Sequence, residues 1–316
     1  MLTVVFLLVP GLHLLDLAGP AQVFSTADDL GHLYRLVYVA ERTEIMTTQG
    51  VAVRAETQWP ALGRDDLILV PGWRVGPPAG RPDLRPATLS QLAGHHAAGG
   101  TVASVCAGAD ALGRAGLLDG RRCTTHHEIQ AELGHWYPQA TVVPDVLYVC
   151  DDRVVTSAGI ASGIDLALHL VASRHGPAVA ARVARAMVVY ARRNGQEPQD
   201  SVALRHRGHL HDVVHRVQDL IDSRFAAPLP LADLAAAGGV SERTLTRLFA
   251  RATGGTPLRY QQLLRVERAE QLIGQGSTVE AAAHAVGFAD ARMLRRLRRR
   301  QCADLPRAGR TRKTSP

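Results

Sequence analysis

The residues best placed to do chemistry lie in Thr101-Val102-Ala103-Ser104-Val105-Cys106-Ala107-Gly108-Ala109-Asp110, where a cysteine follows a β-branched apolar run and precedes a helix-forming one. Strand, sharp turn and helix in that order make a nucleophile elbow. The turn lifts the sulfur above the carboxyl end of a sheet, and the helix N-terminus favours thiolate over thiol. The amide of Ala107, with those around Gly72 and Trp73 in Val70-Pro71-Gly72-Trp73, is the expected cradle for an oxyanion or a ligand carboxylate. His126, in Cys123-Thr124-Thr125-His126-His127, is the candidate base, and Asp16, just past the first apolar run, is the candidate carboxylate near the sulfur. Three roles stay open for Cys106: catalytic nucleophile, thiol of a ligand pocket or redox sensor, and structural elbow without chemistry.

A different recognition chemistry occupies the C-terminal part. Residues 231–249 hold a short amphipathic helix ending at Gly238-Gly239, a corner filled by Val240, and Ser241 as the cap of a second helix. In that second helix Leu245, Leu248 and Phe249 share the buried face, while Arg243, Thr246 and Arg247 face outward, where a major-groove helix needs donors and acceptors. A second copy follows at 278–288 and 289–301, with Arg292, Arg295 and Arg296 outward, and 257–271 reads as a long helix connecting the two. Two such helices on one rigid body enter adjacent major-groove segments about 34 Å apart.

The elements that must position these residues follow from the apolar pattern. Strands are expected at 2–9, 34–40, 51–54, 66–70, 101–105, 147–150 and 154–157, and helices at 19–29, 84–98, 109–115 and 164–174. That alternation predicts an α/β domain, a flavodoxin-like parallel-sheet sandwich with its functional groups at the carboxyl ends of the strands. Beyond the polar stretch Arg192-Arg193-Asn194-Gly195-Gln196-Glu197-Pro198 the strand signal disappears, and apolar residues recur at helical spacing. An all-α domain of roughly seven helices with two helix-turn-helix units is expected there. The expected organisation is a ligand-sensing domain at 1–193, a linker at 194–209, a DNA-binding domain at 210–310 and a basic tail at 311–316.

Charge sharpens that division. Residues 200–316 hold 20 of the 36 Lys and Arg but 11 of the 29 Asp and Glu, an excess of nine positive charges, whereas the first 199 carry a deficit of two. Attraction to nucleic acid therefore belongs to the C-terminal part, and a membrane surface is disfavoured because no apolar anchor accompanies the charge. With 46% hydrophobic and 21% charged residues, neither extended disorder nor a fibrous repeat fits. The apolar opening at 2–9 ends at Pro10-Gly11, lacks a basic flank and is far too short to span a membrane, so a cytoplasmic protein is expected. Four scattered cysteines, none in a CxxC pair, read as reduced thiols. His126, His127 and His135, and separately His206, His209, His211 and His215, lack a thiolate or carboxylate at familiar metal-ligand spacing, so neither metal nor cofactor is expected.

Residues 241–249, 254–260, 265–272 and Val286-Gly287-Phe288 resemble the AraC-type DNA-binding domain over about 210–310. By position, the resemblance implies base-reading roles for Arg243, Thr246 and Arg247 in the first unit and for Arg292, Arg295 and Arg296 in the second. The second unit departs from the pattern: an apolar aromatic core position holds Arg298, the Gly-x-Ser-Pro turn reads Ala303-Asp304-Leu305-Pro306, and the following Tyr-Arg is Gly309-Arg310. A buried arginine there costs a few kcal/mol unless the helix shifts or the guanidinium snorkels out, so an altered or poorly folded second reading head is expected, with arginines still able to hold phosphates.

Upstream, Leu15-Asp16-Leu17-Ala18-Gly19-Pro20, Val70-Pro71-Gly72, Val105-Cys106-Ala107-Gly108, 115–126 and 156–165 resemble the PfpI-type domain of the class I glutamine-amidotransferase-like superfamily. Together the two resemblances identify a GlxA-like transcriptional regulator. They imply double-stranded DNA, a small-molecule effector near Asp16, Gly72 and Cys106, a homodimer and RNA polymerase as partners. In hydrolytic relatives a histidine commonly follows the nucleophile, and here Ala107 stands in that place. The rival reading is a cysteine-dependent enzyme, an amide or nitrile hydrolase or an aldehyde-processing one, with a DNA-binding domain attached.

Overall fold

A computed structural model describes residues 1–75, 80–189, 193–274 and 276–304, the last five as backbone only. Pro306, Gly309, Arg310 and the 311–316 tail lie outside the described residues. The chain divides into two compact units, Met1–Gln199 and Asp200–Pro316.

The first unit runs β1 (Leu2–Leu7), α1 (Leu14–Asp29), β2 (Tyr34–Val39), β3 (Glu44–Met46), β4 (Ala52–Arg54), β5 (Leu67–Val70), α2 (Pro86–Ala97), β6 (Thr101–Val105), α3 (Ala109–Arg114), β7 (Arg122–Cys123), α4 (Gln130–Trp136), β8 (Thr141–Val142), β9 (Tyr148–Asp151), β10 (Val154–Ser157), α5 (Ser162–His175) and α6 (Pro177–Ala186). Six strands form the main sheet in the order β2-β1-β5-β6-β10-β9, parallel except for the β10–β9 pair. This is the flavodoxin-like order with an antiparallel edge, and the chain reverses its direction of sheet growth between β1 and β5. Every residue of β1, β5 and β10 is buried, on both alternations of the pleat, so both faces of the sheet are covered. Helices α1, α5 and α6 pack against one another, as do α2 and α3.

The sequence pattern places β6 and β10 correctly and puts the other main-sheet strands within about two residues at either end. It starts α1 too late: Gly19-Pro20 reads as a helix start but lies inside a helix that begins at Leu14. It reads β4 but misses its hairpin partner β3, whose three residues carry no clear alternation, and it misses the two-residue ladder β7–β8 and the helices α4 and α6.

The second unit is helical: α7 (Val202–Arg205), α8 (Asp212–Ser223), α9 (Leu231–Gly238), α10 (Glu242–Thr253), α11 (Pro257–Gly274), α12 (Val279–Ala285) and α13 (Ala291–Asp304). It has two cores. One gathers Val214, Val217, Ile221, Leu234, Leu245 and Phe249, the other Ala282, Val286, Phe288, Leu294 and Leu297. Helix α11 serves both, with Tyr260 in the first and Val266 and Ala269 in the second. Beside it Arg265 donates to the carbonyls of Phe225 (2.7 Å), Ala226 (3.2 Å), Ala227 (2.9 Å) and Gly287 (2.9 Å), tying the segment after α8 to the corner of the second helix-turn-helix.

The stretch 194–209, read as a linker, is packed rather than free. Leu147 N–H donates to the Gly195 carbonyl at 2.9 Å, and Gln199 Nε2 donates to the carbonyls of Thr125 (2.9 Å) and Val146 (3.1 Å) in the first unit. Val202 belongs to the first core of the second unit, where its N–H meets Glu267 at 2.8 Å.

Candidate functional site

Cys106 sits where β6 ends and a single 3-10 turn leads into α3, and its φ of 53° is the left-handed value of an elbow. Asp16, in the first turn of α1, and Gly72, just past β5, reach the same point from either side of the β1/β5 switch. Gly72 must be glycine: a Cβ there would come within 2.5 Å of Asp16 Oδ2, 2.6 Å of Cys106 Cβ and 2.9 Å of the Ala107 nitrogen. On the other side Gly159 packs so closely on Cys106 that a Cβ would overlap it. The sulfur-bearing residue is consequently buried, and Asp16 is fully so.

This closure overturns two expectations. The thiol is not activated by the helix N-terminus: burial first, then the Asp16 charge, pushes the Cys106 pKa well above its ordinary range, outweighing the Ala107 amide, which opposes the shift. Nor are the cradle amides all available. Gly72 N–H donates to Asp16 Oδ2 at 3.2 Å, and the Ala107 amide faces the Cys106 sulfur. Trp73 is buried, held in a bridge to Leu12. Close packing accounts for both: it turns the amides onto groups of the chain itself, and it removes the water that would let the helix terminus outweigh desolvation of the thiolate.

Asp16 is pushed up to about 7, mainly by burial, against hydrogen bonding from Gly72, Ile160 and Cys106. Asp16 thus lies beside the sulfur, where the sequence expects a carboxylate, and its burial lets it keep a proton up to about pH 7. Thr125, which sequence reasoning passed over, donates its hydroxyl to the Cys106 carbonyl at 2.8 Å and brings the His126 segment to the elbow. His126 itself stands 3.7 Å from the Glu128 carboxylate and against the His127 ring, at 4.2 Å between centroids. The Thr125 carbonyl in turn accepts from Gln199, the last residue of the first unit.

In the second unit the helix-turn-helix geometry is as read. Helix α9 ends at Gly239, φ 67°, and Ser241 caps α10 by accepting from Thr244 N–H at 3.3 Å. Arg243 and Arg247 are exposed on α10, and among the described residues neither has an acidic partner; Thr246 bonds back to the Glu242 carbonyl at 2.9 Å. In the second copy Thr278 caps α12 and Asp290 caps α13. Here Arg295 is engaged by Glu280 at 2.7 Å and Arg296 lies on the Met293 sulfur, while Arg292 is exposed. Arg298, at the family's aromatic core position, snorkels to Glu270 on α11 at 2.5 Å and remains partly exposed, so no charge is buried unpaired.

Residues 2–173 match the sequence model of the DJ-1/PfpI family, and 234–312 that of a helix-turn-helix domain. The HTH-type transcriptional regulator CdhR of Pseudomonas aeruginosa is 31% identical over 276 residues, 85% of this chain and 80% of that protein. Isonitrile hydratase of Pseudomonas putida is 34% identical over 168 residues, 52% of this chain and 68% of that enzyme. Among solved structures, an AraC family transcriptional regulator from Pseudomonas putida matches with a TM-score of 0.51 at 24% identity, over 59% of this chain and 100% of that one, a likeness of fold alone. No described helix is long and apolar enough to cross a membrane.

Proposed function

Since this chain belongs to the DJ-1/PfpI family, carries an AraC-type helix-turn-helix domain and is a DNA-binding transcriptional regulator, we propose that its first unit is a non-catalytic sensor of a small polar molecule. The observation that carries this reading is the closed elbow. Cys106 is held as a thiol beside a buried carboxyl, and two of the amides that would serve an oxyanion are already engaged. A catalyst needs an ionisable nucleophile and free donors; a sensor needs a site whose packing a ligand can change.

The effector contacts are Cys106, Ala107 and His126, with Asp16, Gly72 and Trp73 shaping the wall behind them. Thr125 and Gln199 then relay the change, because one hydrogen bond joins Thr125 to the elbow and another joins it to the end of the sensor unit. Arg243, Thr246 and Arg247 read bases, and Arg292, Arg295 and Arg296 follow on the second head with a larger share of phosphate contact. A cytoplasmic homodimer formed through the sensor presents two readers to a repeated or palindromic operator and meets RNA polymerase at the promoter.

Selection of binding sites from random DNA with the full-length chain tests the reading. A defined motif that Cys106→Ala still binds is the expected result. A second reading is favoured by one observation, the left-handed Cys106, a conformation that costs about 1–2 kcal/mol and that nucleophile elbows share. Turnover of an isonitrile or amide by wild type, lost in Cys106→Ala, would establish that enzyme instead.

A further inference from the structure

Away from the sulfur, Asp110 on α3 and Trp136-Tyr137 at the end of α4 form a recess with the chemistry of a cation site, and one of the chain's own guanidiniums sits in it. Arg81, on the segment leading from β5 to α2, lays its guanidinium carbon 4.4 Å from the Trp136 ring centroid and 6.0 Å from that of Tyr137. One nitrogen, Nη2, donates to the Tyr137 hydroxyl at 2.8 Å and to Asp110 Oδ1. The Tyr137 hydroxyl donates to the same Oδ1 at 2.6 Å. The carboxylate is fixed and desolvated, with its side chain 3% exposed, whereas Arg81 is 39% exposed and approaches from the solvent side.

The bonding is incomplete in a telling way. Asp110 Oδ2 is buried and has no hydrogen-bond partner. A guanidinium ordinarily meets a carboxylate as a fork, two N–H groups on two oxygens, but Arg81 bonds the carboxylate through a single nitrogen. A free ligand without that tether can present both donors while stacking on the indole. A cation seated over the indole and room for a second donor favour a guanidinium over a compact ammonium, which offers point charge without a flat face.

We propose that the Asp110–Trp136–Tyr137 recess is a binding site for guanidinium compounds, in which Arg81 is a built-in stand-in that the ligand displaces. Neither Cys106 nor His126 takes part, so the site goes beyond the elbow as a sensor. Its connection to the elbow is short: Asp110 lies one helical turn after Cys106, and Gly113 of the same helix packs against the Tyr137 ring. A tethered group competes as an intramolecular ligand at high effective concentration, which makes the wild-type site weak and its emptied variant strong.

The test titrates methylguanidinium chloride, at constant ionic strength, into full-length Arg81→Ala while following tryptophan fluorescence and melting temperature. N-methylurea serves as the neutral near-isostere. Saturable quenching and a rise in melting temperature are expected in Arg81→Ala, about tenfold weaker in wild type because Arg81 competes, absent with N-methylurea and lost when Asp110→Asn is added. A non-saturable or equal response in Arg81→Ala and the double variant overturns the proposal, as does no response from folded Arg81→Ala. Should Arg81→Ala not fold, Arg81→Met keeps the aliphatic stem on Trp136 and is titrated with the same outcomes. The wild-type chain is titrated to about tenfold higher ligand at the same ionic strength: saturable quenching there by methylguanidinium but not by N-methylurea supports the site, and its absence over that extended range overturns displacement of Arg81. Operator binding by each variant is measured separately, so a failed recess and a failed regulator reading are told apart.

Discussion

Two helices of this chain begin at tight turns, and their N-terminal ends are used in opposite ways. At Cys106 the turn into α3 is enclosed by Asp16, Gly72 and Gly159, its amides are engaged from within, and its sulfur is held protonated. At Ser241 the turn into α10 is capped by the serine and otherwise open, and Arg243 and Arg247 stand in solvent. The second reading head is intermediate: Arg295 and Arg298 are engaged by Glu280 and Glu270, so part of its positive charge holds the domain together. Burial, more than residue type, decides whether a helix start supports chemistry, sensing or recognition. The same elementary device yields a closed sensor in one unit and an open reader in the other.

The largest expected effect tests what lets the readers stay open. Arg265→Ala removes the side-chain donor of the Ala226 and Gly287 carbonyls and leaves those of Phe225 and Ala227 to Gln261 alone. It should destabilise the second unit by about 4–5 kcal/mol, seen in urea denaturation as early melting of α12 and α13. If stability is unchanged, the two reading heads are held together by something else.

Asp16→Asn tests the closed helix start. The folded-state pKa of Asp16, about 7, lies above its ordinary 3.8, so the folded chain holds the proton more tightly than the unfolded chain. Its contribution is complete below about pH 4 and is lost as pH rises through 7, an effect of about 4 kcal/mol at about 1.4 kcal/mol per pH unit between the two values. Melting temperatures across pH 4–8 should fall less steeply in Asp16→Asn than in wild type; parallel curves would mean that Asp16 is not desolvated as described.

Arg243→Ala addresses the open helix start directly. It should weaken binding to the selected operator by about 1–3 kcal/mol and relax the preference at one base pair, with a smaller loss on random DNA. Equal losses on both would reduce Arg243 to a phosphate contact.

The smallest effect sharpens the intermediate case. Glu280→Gln releases Arg295 and removes a negative charge near DNA, so binding should strengthen by about 0.5 kcal/mol, alike on selected and random sequences, and the gain should fade as salt rises. A gain confined to the selected operator would restore base reading to the second head.

How much of this was legible in the residues follows from the range of each interaction. The elbow was readable because strand, turn and helix are contiguous from Thr101 to Arg114. Both helix-turn-helix units were readable because apolar spacing and capping residues act within one or two turns. The pairing of Arg298 with Glu270 was not, since the partners lie 28 residues apart and only the packing of α13 on α11 brings them together. Asp110 and Arg81 are 29 residues apart and Thr125 and Gln199 are 74, and no periodicity reports such contacts.

By itself the sequence determined the order of the two domains, the uneven charge, the elbow at Cys106 and the outward face of α10, because propensity, periodicity and turn chemistry are local. Tertiary structure alone decided the state of what they display. It made Cys106 a protonated, enclosed thiol, turned Arg298 outward to a carboxylate, and seated Arg81 over Trp136. Desolvation and ion pairing depend on which distant groups share a site, and that is set only when the chain has packed.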